Sequence, residues 1–323
     1  MLFRSRTAAL IALGITCWHS PWVGSVEEVL RRQAGCFDLV YVHRLVNARY
    51  IPFIRLHQPR ARLLFSVADL SHLRVGRQAA IEERPELAQH SRRLRAAEFG
   101  AAQAADAVIT HSSYEAALLQ TELPLGRVHV VPWAVTPTPT PVPVADRSGL
   151  AFIGGYDHAP NVDAALVLVT EIMPLVWQTA PGMRCSLVGA QMPECLHALA
   201  GPNVAAVGYV PDLAAVFGAV RLTAAPLMFG AGVKGKVLDS LAAGVPCVTS
   251  PIAQEGLPWP AVLARQGGAT PPAMADAILR LHDDPALNAA VAEAGLAYIA
   301  AAHSTGAVDS ALRPAAFGPA VTA

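Results

Sequence analysis

The first 135 residues alternate short apolar runs with longer stretches of helical periodicity. ITCWHS (15–20), FDLVYVH (37–43), RLLFSVAD (62–69), DAVITHS (106–112) and RVHVVPWAV (127–135) have strand length. SVEEVLRRQAG and RRLRAAEFGAAQAA, between them, carry the three-to-four spacing of helices. Strands alternating with helices predict a parallel sheet covered on both faces. Ser112-Ser113-Tyr114-Glu115 is a capping-box pattern opening the helix YEAALLQTEL, which gives its serines a structural role. The opening MLFRSRTAALIALG sets basic residues before a short apolar run, as a signal peptide would. No convincing small-residue cleavage site follows, and a buried amphipathic helix is expected.

TPTPTPVPVADRSG (136–149) breaks the pattern. Repeated prolines remove backbone donors and favour an extended chain, as in an interdomain linker. The alternation then resumes. LAFIGGY (150–156), RCSLVG, NVAAVGYV, VRLTAAPLM and PCVTS read as strands. Asn161 is expected to cap NVDAALVLVTEIMPLVWQ, with Asp163 in its first turn. AMADAILRLHDD and ALNAAVAEAGLAYIAAAH form a helical pair, and residues 304–323 are expected to be a loose tail. The division is therefore 1–135, a linker at 136–149, and a Rossmann-like domain at 150–303.

Composition narrows the classes. No apolar run approaches the ~20 residues of a membrane span. Five isolated cysteines without CxxC imply reduced, mostly buried thiols and a cytoplasmic location. The eleven histidines show no ligand spacing, so no metal is expected. Residues 1–140 hold 16 Arg against 11 acids, and residues 141–323 hold 8 Lys+Arg against 13 acids. A basic first half can face phosphates or anionic lipid at the inner membrane face. Without interleaved aromatics it does not read as a nucleic-acid module.

Of 24 Lys+Arg, 22 are Arg, and the two lysines fall together in FGAGVKGKVLDSLAAGVPCVTS (229–250). Strand, glycine loop and helix N-terminus in that order make an anion site, because backbone N–H groups and the positive helix end converge. Lysine adds a compact charge on a flexible stem that can follow a diphosphate. Gly230, Gly235 and Lys236 spell the GxxxxGK of a P-loop. Val237 stands where that loop needs Ser or Thr for magnesium, and no later strand ends in an acid.

KVLDSLAAGVPCVTS resembles the corresponding segment of group 1 (family 4-like) retaining glycosyltransferases with the GT-B fold. The resemblance extends through FIGGYDHAPNVDAAL, LVGAQMPE, VGYVPDLAAVF and PIAQEGL. It implies an α/β, GT-B-like chain of two Rossmann-like domains, the second binding a nucleoside diphosphate sugar without a cofactor or active-site metal. Lys236, with Lys234, resembles the positive groups that meet the donor diphosphate. Asp239, one turn later on the same helix face, matches the acid that meets ribose hydroxyls. Gly154 and Gly155 match the glycine loop beside the donor, Tyr209 and Val210 the segment beside the base. Phe229, Gly230, Ala231 and Gly232 would lie along sugar and phosphates, and Glu255 would meet the donor or shape its turn. Many relatives carry Glu where this chain has Ala231.

FDLVYVHRLVNARYIPFIRLHQPRARLLFSVADLSHLRVGRQ resembles the middle of the family's first domain. His72 there is a candidate to orient the transferring sugar, and Arg74 to meet an acceptor or phosphate. The resemblance also implies that about two βα units of ~30 residues each are missing. The first domain would then be incomplete, with an exposed sheet edge needing a partner chain. The implied reaction is retaining transfer of a sugar to a glycan or lipid-linked hydroxyl acceptor. A non-catalytic nucleotide-sugar-binding remnant, a GT-B-type sugar epimerase and an NTPase are the alternatives.

Overall fold

The computed structural model describes residues 2–318. The first half holds α1 (Leu2–Ala12), α2 (Val26–Arg32), β1 (Leu39–His43), α3 (Ile51–His57), β2 (Arg62–Ser66), α4 (Ser71–Ile81), α5 (Pro85–Ala104), β3 (Ala107–Thr110), α6 (Ser113–Gln120) and β4 (Val128–Val130). The strands form one parallel sheet in the order β1-β2-β3-β4. Strand alternation splits its side chains between two faces. Val42, Leu63, Phe65 and Val108 pack with Phe99, Ala102 and Leu119 from the helices on one face. Leu64, Ala107, Ile109 and Val131 form the other.

The second half holds β5 (Leu150–Ile153), α7 (Ala159–Val167), α8 (Met173–Thr179), β6 (Cys185–Val188), α9 (Glu194–His197), β7 (Val204–Gly208), α10 (Ala214–Ala219), β8 (Leu222–Ala225), α11 (Gly235–Ala242) and β9 (Cys247–Thr249). It closes with α12 (Pro251–Gln254), α13 (Ala261–Ala264), α14 (Pro271–Asp283), α15 (Pro285–Ala302) and α16 (Thr305–Phe317). Its parallel sheet runs β7-β6-β5-β8-β9. The order reverses beside β5, the topological switch point where α/β sheets open a crevice at the carboxyl ends of their strands. The fully buried strand β5 reads as a continuous apolar run for this reason, and in buried β8 the one polar side chain, Thr223, pairs with Ser240 at 2.7 Å.

Several expectations are corrected. ITCWHS is irregular chain rather than a strand, and among the described residues β1 forms the sheet's edge. Residues 8–14 are exposed, so the described side chains of the opening helix beyond Thr7 are not buried as expected. Residues 305–317 are not a loose tail. They form α16, which crosses back to the first domain and packs Val308, Ala311, Leu312 and Ala315 against Leu64, Ile109 and Val131. The Arg62 guanidinium fastens this helix by donating to the Ala315 carbonyl at 2.8 Å. Cys185 and Cys247 are buried, but Cys36 and Cys195 are exposed and Cys17 is half-buried. Ala159–Thr179 and Pro285–Phe317 are long and apolar enough, by length and composition alone, to cross a membrane. Their apolar faces are used instead in packing. Ala164, Leu168, Ile172 and Val176 enter the second domain's core, as do Val291 and Ile299.

Candidate functional site

A cavity of about 330 Å³ opens where the carboxyl ends of the two sheets face each other. Arg44, just past β1, and Ala68 and Asp69, just past β2, form part of its first-domain wall, with Arg74 of α4 and Trp133. The second domain supplies the start of α7 (His158, Pro160, Asn161) and the loop from Phe229 to Lys236. Two non-glycine residues on the first wall have positive φ, Arg44 at 66° and Ala68 at 63°. Backbone strain of this kind persists only where surrounding structure over-determines it, and it concentrates at functional sites.

The two lysines divide their work. Lys234 is buried, and its ammonium donates to the Ala231 carbonyl at 3.1 Å and to the Gly232 carbonyl. It ties the glycine loop to itself, and burial pulls its pKa down to about 8. Lys236 is half-buried and faces the cavity. Its Nζ donates to Asn161 Oδ1 at 2.6 Å and lies 4.2 Å from the centre of the Phe152 ring. Desolvation is the largest influence on it and lowers its pKa to about 7. Asn161 donates in turn to the Gly155 carbonyl at 2.7 Å. It therefore orients Lys236 rather than capping its helix, whose N-cap is His158. Asp163 falls past the first turn, and burial raises its pKa.

Gly154 and Gly155 complete this cradle. A Cβ at Gly154 would stand 2.9 Å from Asn161 Cγ and 3.0 Å from Lys236 Nζ, so no side chain fits. Gly189 backs the loop so closely that its own Cβ would lie 1.7 Å from the Gly154 carbonyl oxygen. Helix α11 starts at Gly235 without a side-chain cap, at the cavity wall. Two helix N-termini, a glycine turn and an ammonium thus converge on one small volume, which suits an anionic ligand.

The first domain holds the glycine loop in place. Glu115 is fully buried and accepts from Gly232 N at 2.8 Å, Leu70 N at 2.9 Å and Thr110 Oγ1 at 3.1 Å. The box at Ser112 is therefore half formed. Ser112 Oγ accepts from Glu115 N, while the Glu115 carboxylate reaches across to the other domain. Desolvation outweighs those donors and raises the Glu115 pKa. Arg77 donates to both Glu255 oxygens, at 2.9 and 2.7 Å, and to the Gly230 carbonyl at 2.7 Å. Glu255 is thus held by an interdomain ion pair. At Gly232, φ is 66° and a Cβ would sit 3.0 Å from Asp69 Cβ, so glycine is required where the walls touch.

The other predicted residues are placed differently. Asp239 is exposed one turn beyond Lys236 and borders a neighbouring cavity of about 630 Å³ beside the linker and α10. Although the residue as a whole is exposed, the atoms around its carboxyl partly desolvate it and raise its pKa. Tyr209 is 70% exposed, and Val210 packs against the small core cluster that includes Phe217. Phe229 is buried in the cavity wall, and Ala231 lines it. His72 is not among the lining residues. Its Nδ1 lies 2.5 Å from Glu98 Oε2, and Glu98 also accepts from Ser71 N at 2.7 Å. His72 belongs to the buried lock that starts α4. The residues not anticipated are Arg44, Trp133, Arg77 and Glu115. Of these, Glu115 stood out in the sequence only as part of the capping pattern at Ser112. Among the described residues no group of three potential ligands could hold a metal.

Residues 147–284 match the family described as "Glycosyl transferases group 1". No curated protein matches the chain in sequence. Solved structures resemble it in fold. TarM of S. aureus, crystallised with fondaparinux, alpha-GlcNAc-glycerol and UDP, aligns with a TM-score of 0.70 at 12% identity over 90% of this chain and 58% of TarM. HepE of Anabaena, in complex with UDP, aligns at 0.67 and 14% identity over 88% of this chain and 79% of HepE. WaaG, a glycosyltransferase involved in lipopolysaccharide biosynthesis, aligns at 0.57 and 17% identity over 84% and 81%. The chain spans 56–58% of the length of the two TarM structures it matches. The molecule has the α/β, GT-B fold with parallel sheets, and its second domain is similar to the group 1 glycosyltransferases.

Proposed function

We propose that the protein transfers a sugar from a nucleoside diphosphate sugar to a hydroxyl of a glycan or lipid-linked glycan, with retention at the anomeric carbon. The observation that carries this reading is the cradle of Gly154, Gly155, Asn161 and Lys236 at the uncapped start of α11. The diphosphate would lie against Lys236 and the two helix ends. The nucleoside would extend toward Asp239 and the Tyr209–Val210 segment. Negative charge grows on the diphosphate as the sugar leaves, and preorganised donors aimed there lower the barrier. A diphosphate beside Lys236 would also favour its protonated form. Asp69, the one carboxylate lining the cavity among the described residues, is engaged by Arg74 Nε at 3.2 Å. That engagement favours acceptor entry on the face the diphosphate leaves over a covalent glycosyl-enzyme. TarM and HepE were crystallised with UDP, which makes UDP the first nucleotide to try. The exposed thiols and the basic first half favour a cytoplasmic reaction at the membrane face.

The test is calorimetric titration of the full chain with UDP and GDP, beside Lys236→Ala. Micromolar binding of one nucleotide, weakened at least ~30-fold in the variant, is expected for loss of a charge-assisted contact. No binding of either by folded protein refutes the donor site. Binding without sugar release from the matching nucleotide sugar selects the non-catalytic reading.

A further inference from the structure

We propose that the first-domain wall of the cavity is a second anion subsite, centred on Arg44 and flanked by Arg74, and that the acceptor therefore carries a phosphate or carboxylate group. This inference rests on the donor reading above for the word acceptor, but the subsite itself stands on its own geometry. Five observations carry it.

Arg44 follows the last residue of β1, and its backbone N donates to the Ser66 carbonyl at 2.8 Å, which sets it beside the end of β2. That is the carboxyl edge of the sheet, where open α/β folds receive ligands. Its backbone has φ 66° with ψ 153°, a region in which essentially only glycine sits without strain. An arginine kept there at a free-energy cost is more informative than an arginine on a helix face. It lines the cavity, is exposed, and forms no ion pair among the described residues. Its neighbour on the same wall, Ala68, also has positive φ, at 63°, so this rim is held in a specific shape.

The fifth observation is the charge balance. Arg44, Arg74, Lys234 and Lys236 line the cavity against Asp69 alone. Arg74 offsets Asp69, Lys234 is absorbed by loop carbonyls, and Lys236 belongs to the donor cradle. Arg44 is left as positive charge without a protein partner, on the wall opposite the donor loop. A guanidinium facing a cleft favours a planar or tetrahedral oxyanion over a neutral hydroxyl. An ordinary solvated arginine would need neither the strained backbone nor the cleft position.

The experiment saturates the protein with UDP, so that the Lys236 cradle is filled, and then titrates glycerol 1-phosphate by calorimetry, with glycerol as the uncharged control. The expected result is binding of glycerol 1-phosphate but not glycerol, weakened at least tenfold in Arg44→Gln and partly retained in Arg44→Lys. Glycerate in place of the phosphate ester shows which oxyanion is preferred, and either preference supports the subsite. Arg44→Gly relieves the strain, so it should raise the thermal unfolding midpoint while abolishing the binding. Binding unchanged in Arg44→Gln, binding that UDP displaces, or no binding at all overturns the proposal. If UDP itself does not bind, the same titration on free protein still decides. Arg44-dependent binding that survives Lys236→Ala upholds the anion subsite while the donor reading falls.

Discussion

Replacing Lys236 by methionine should stabilise the protein at acid and neutral pH while abolishing nucleotide binding. The two side chains are similar in length, and methionine keeps the contact with the Phe152 ring. Burial lowers the lysine from an ordinary 10.5 to about 7. At about 1.4 kcal/mol per pKa unit this is a ceiling near 5 kcal/mol for holding the ammonium in the folded chain. The cleft is open to water and the side chain only half-buried, so roughly half of that, about 2 kcal/mol, is retained. The variant also leaves Asn161 Oδ1 without its donor, which costs about 1 kcal/mol. The net gain at pH 6 is therefore about 1 kcal/mol. The sign with pH follows from linkage. The folded chain holds the Lys236 proton less tightly than the unfolded chain does. The penalty is thus complete below pH 7 and fades as pH rises toward 10.5. Urea unfolding of both proteins should give a variant more stable at pH 6 and no more stable, or slightly less, near pH 10. Calorimetry in buffers of different ionisation enthalpy adds a second readout, since UDP binding to the wild type at pH 8 should take up a proton. A variant less stable than wild type at pH 6, or proton-neutral UDP binding at pH 8, would refute the reasoning.

Three further outcomes follow from the same geometry. Glu115→Leu leaves two buried backbone donors and a threonine hydroxyl without an acceptor, and should cost about 3–5 kcal/mol in urea unfolding. Glu115→Gln, which keeps an oxygen for Leu70 and Gly232, should cost about 1 kcal/mol. Because burial raises the Glu115 pKa, the folded chain binds its proton more tightly, so wild-type stability falls as pH rises through the carboxylate range. The Gln variant should lack that slope, and an identical pH profile in both would count against it. Gly189→Ala drives a methyl group into the Gly154 carbonyl and should cost more than about 3 kcal/mol by the same unfolding assay, with UDP binding lost even in the folded fraction. Arg77→Met frees the Gly230 carbonyl and leaves Glu255 unpaired, so UDP affinity should fall about tenfold, or ~1.4 kcal/mol. Unchanged affinity in a folded Arg77→Met would show that the first domain does not position the loop.

Local physics made much of this molecule legible before its fold was known. Parallel sheets followed from the alternation of apolar runs and helices. The glycine loop between β8 and α11 followed from residues that each act on their immediate surroundings. The pairing of Lys234 and Lys236 in that loop pointed to an anion site because nothing else in the chain uses lysine. What could not be read locally depends on residues far apart in sequence. Lys234 and Lys236 look equivalent in sequence, yet one is absorbed by its own loop and the other rests on Asn161, 75 residues earlier. Glu115 reads as a capping residue, but the second domain brings Gly232 to its carboxylate, 117 residues away. His72 reads as a cleft histidine until α5 returns and places Glu98 against it. Residues 305–317 lack a strong local signature and become ordered only because the uncovered face of the first sheet offers apolar surface to bury. Periodicity, propensity and loop chemistry act over a few residues and are written in the sequence. Burial, charge partners and the strain at Arg44 arise where distant segments meet, and only the tertiary structure decides them.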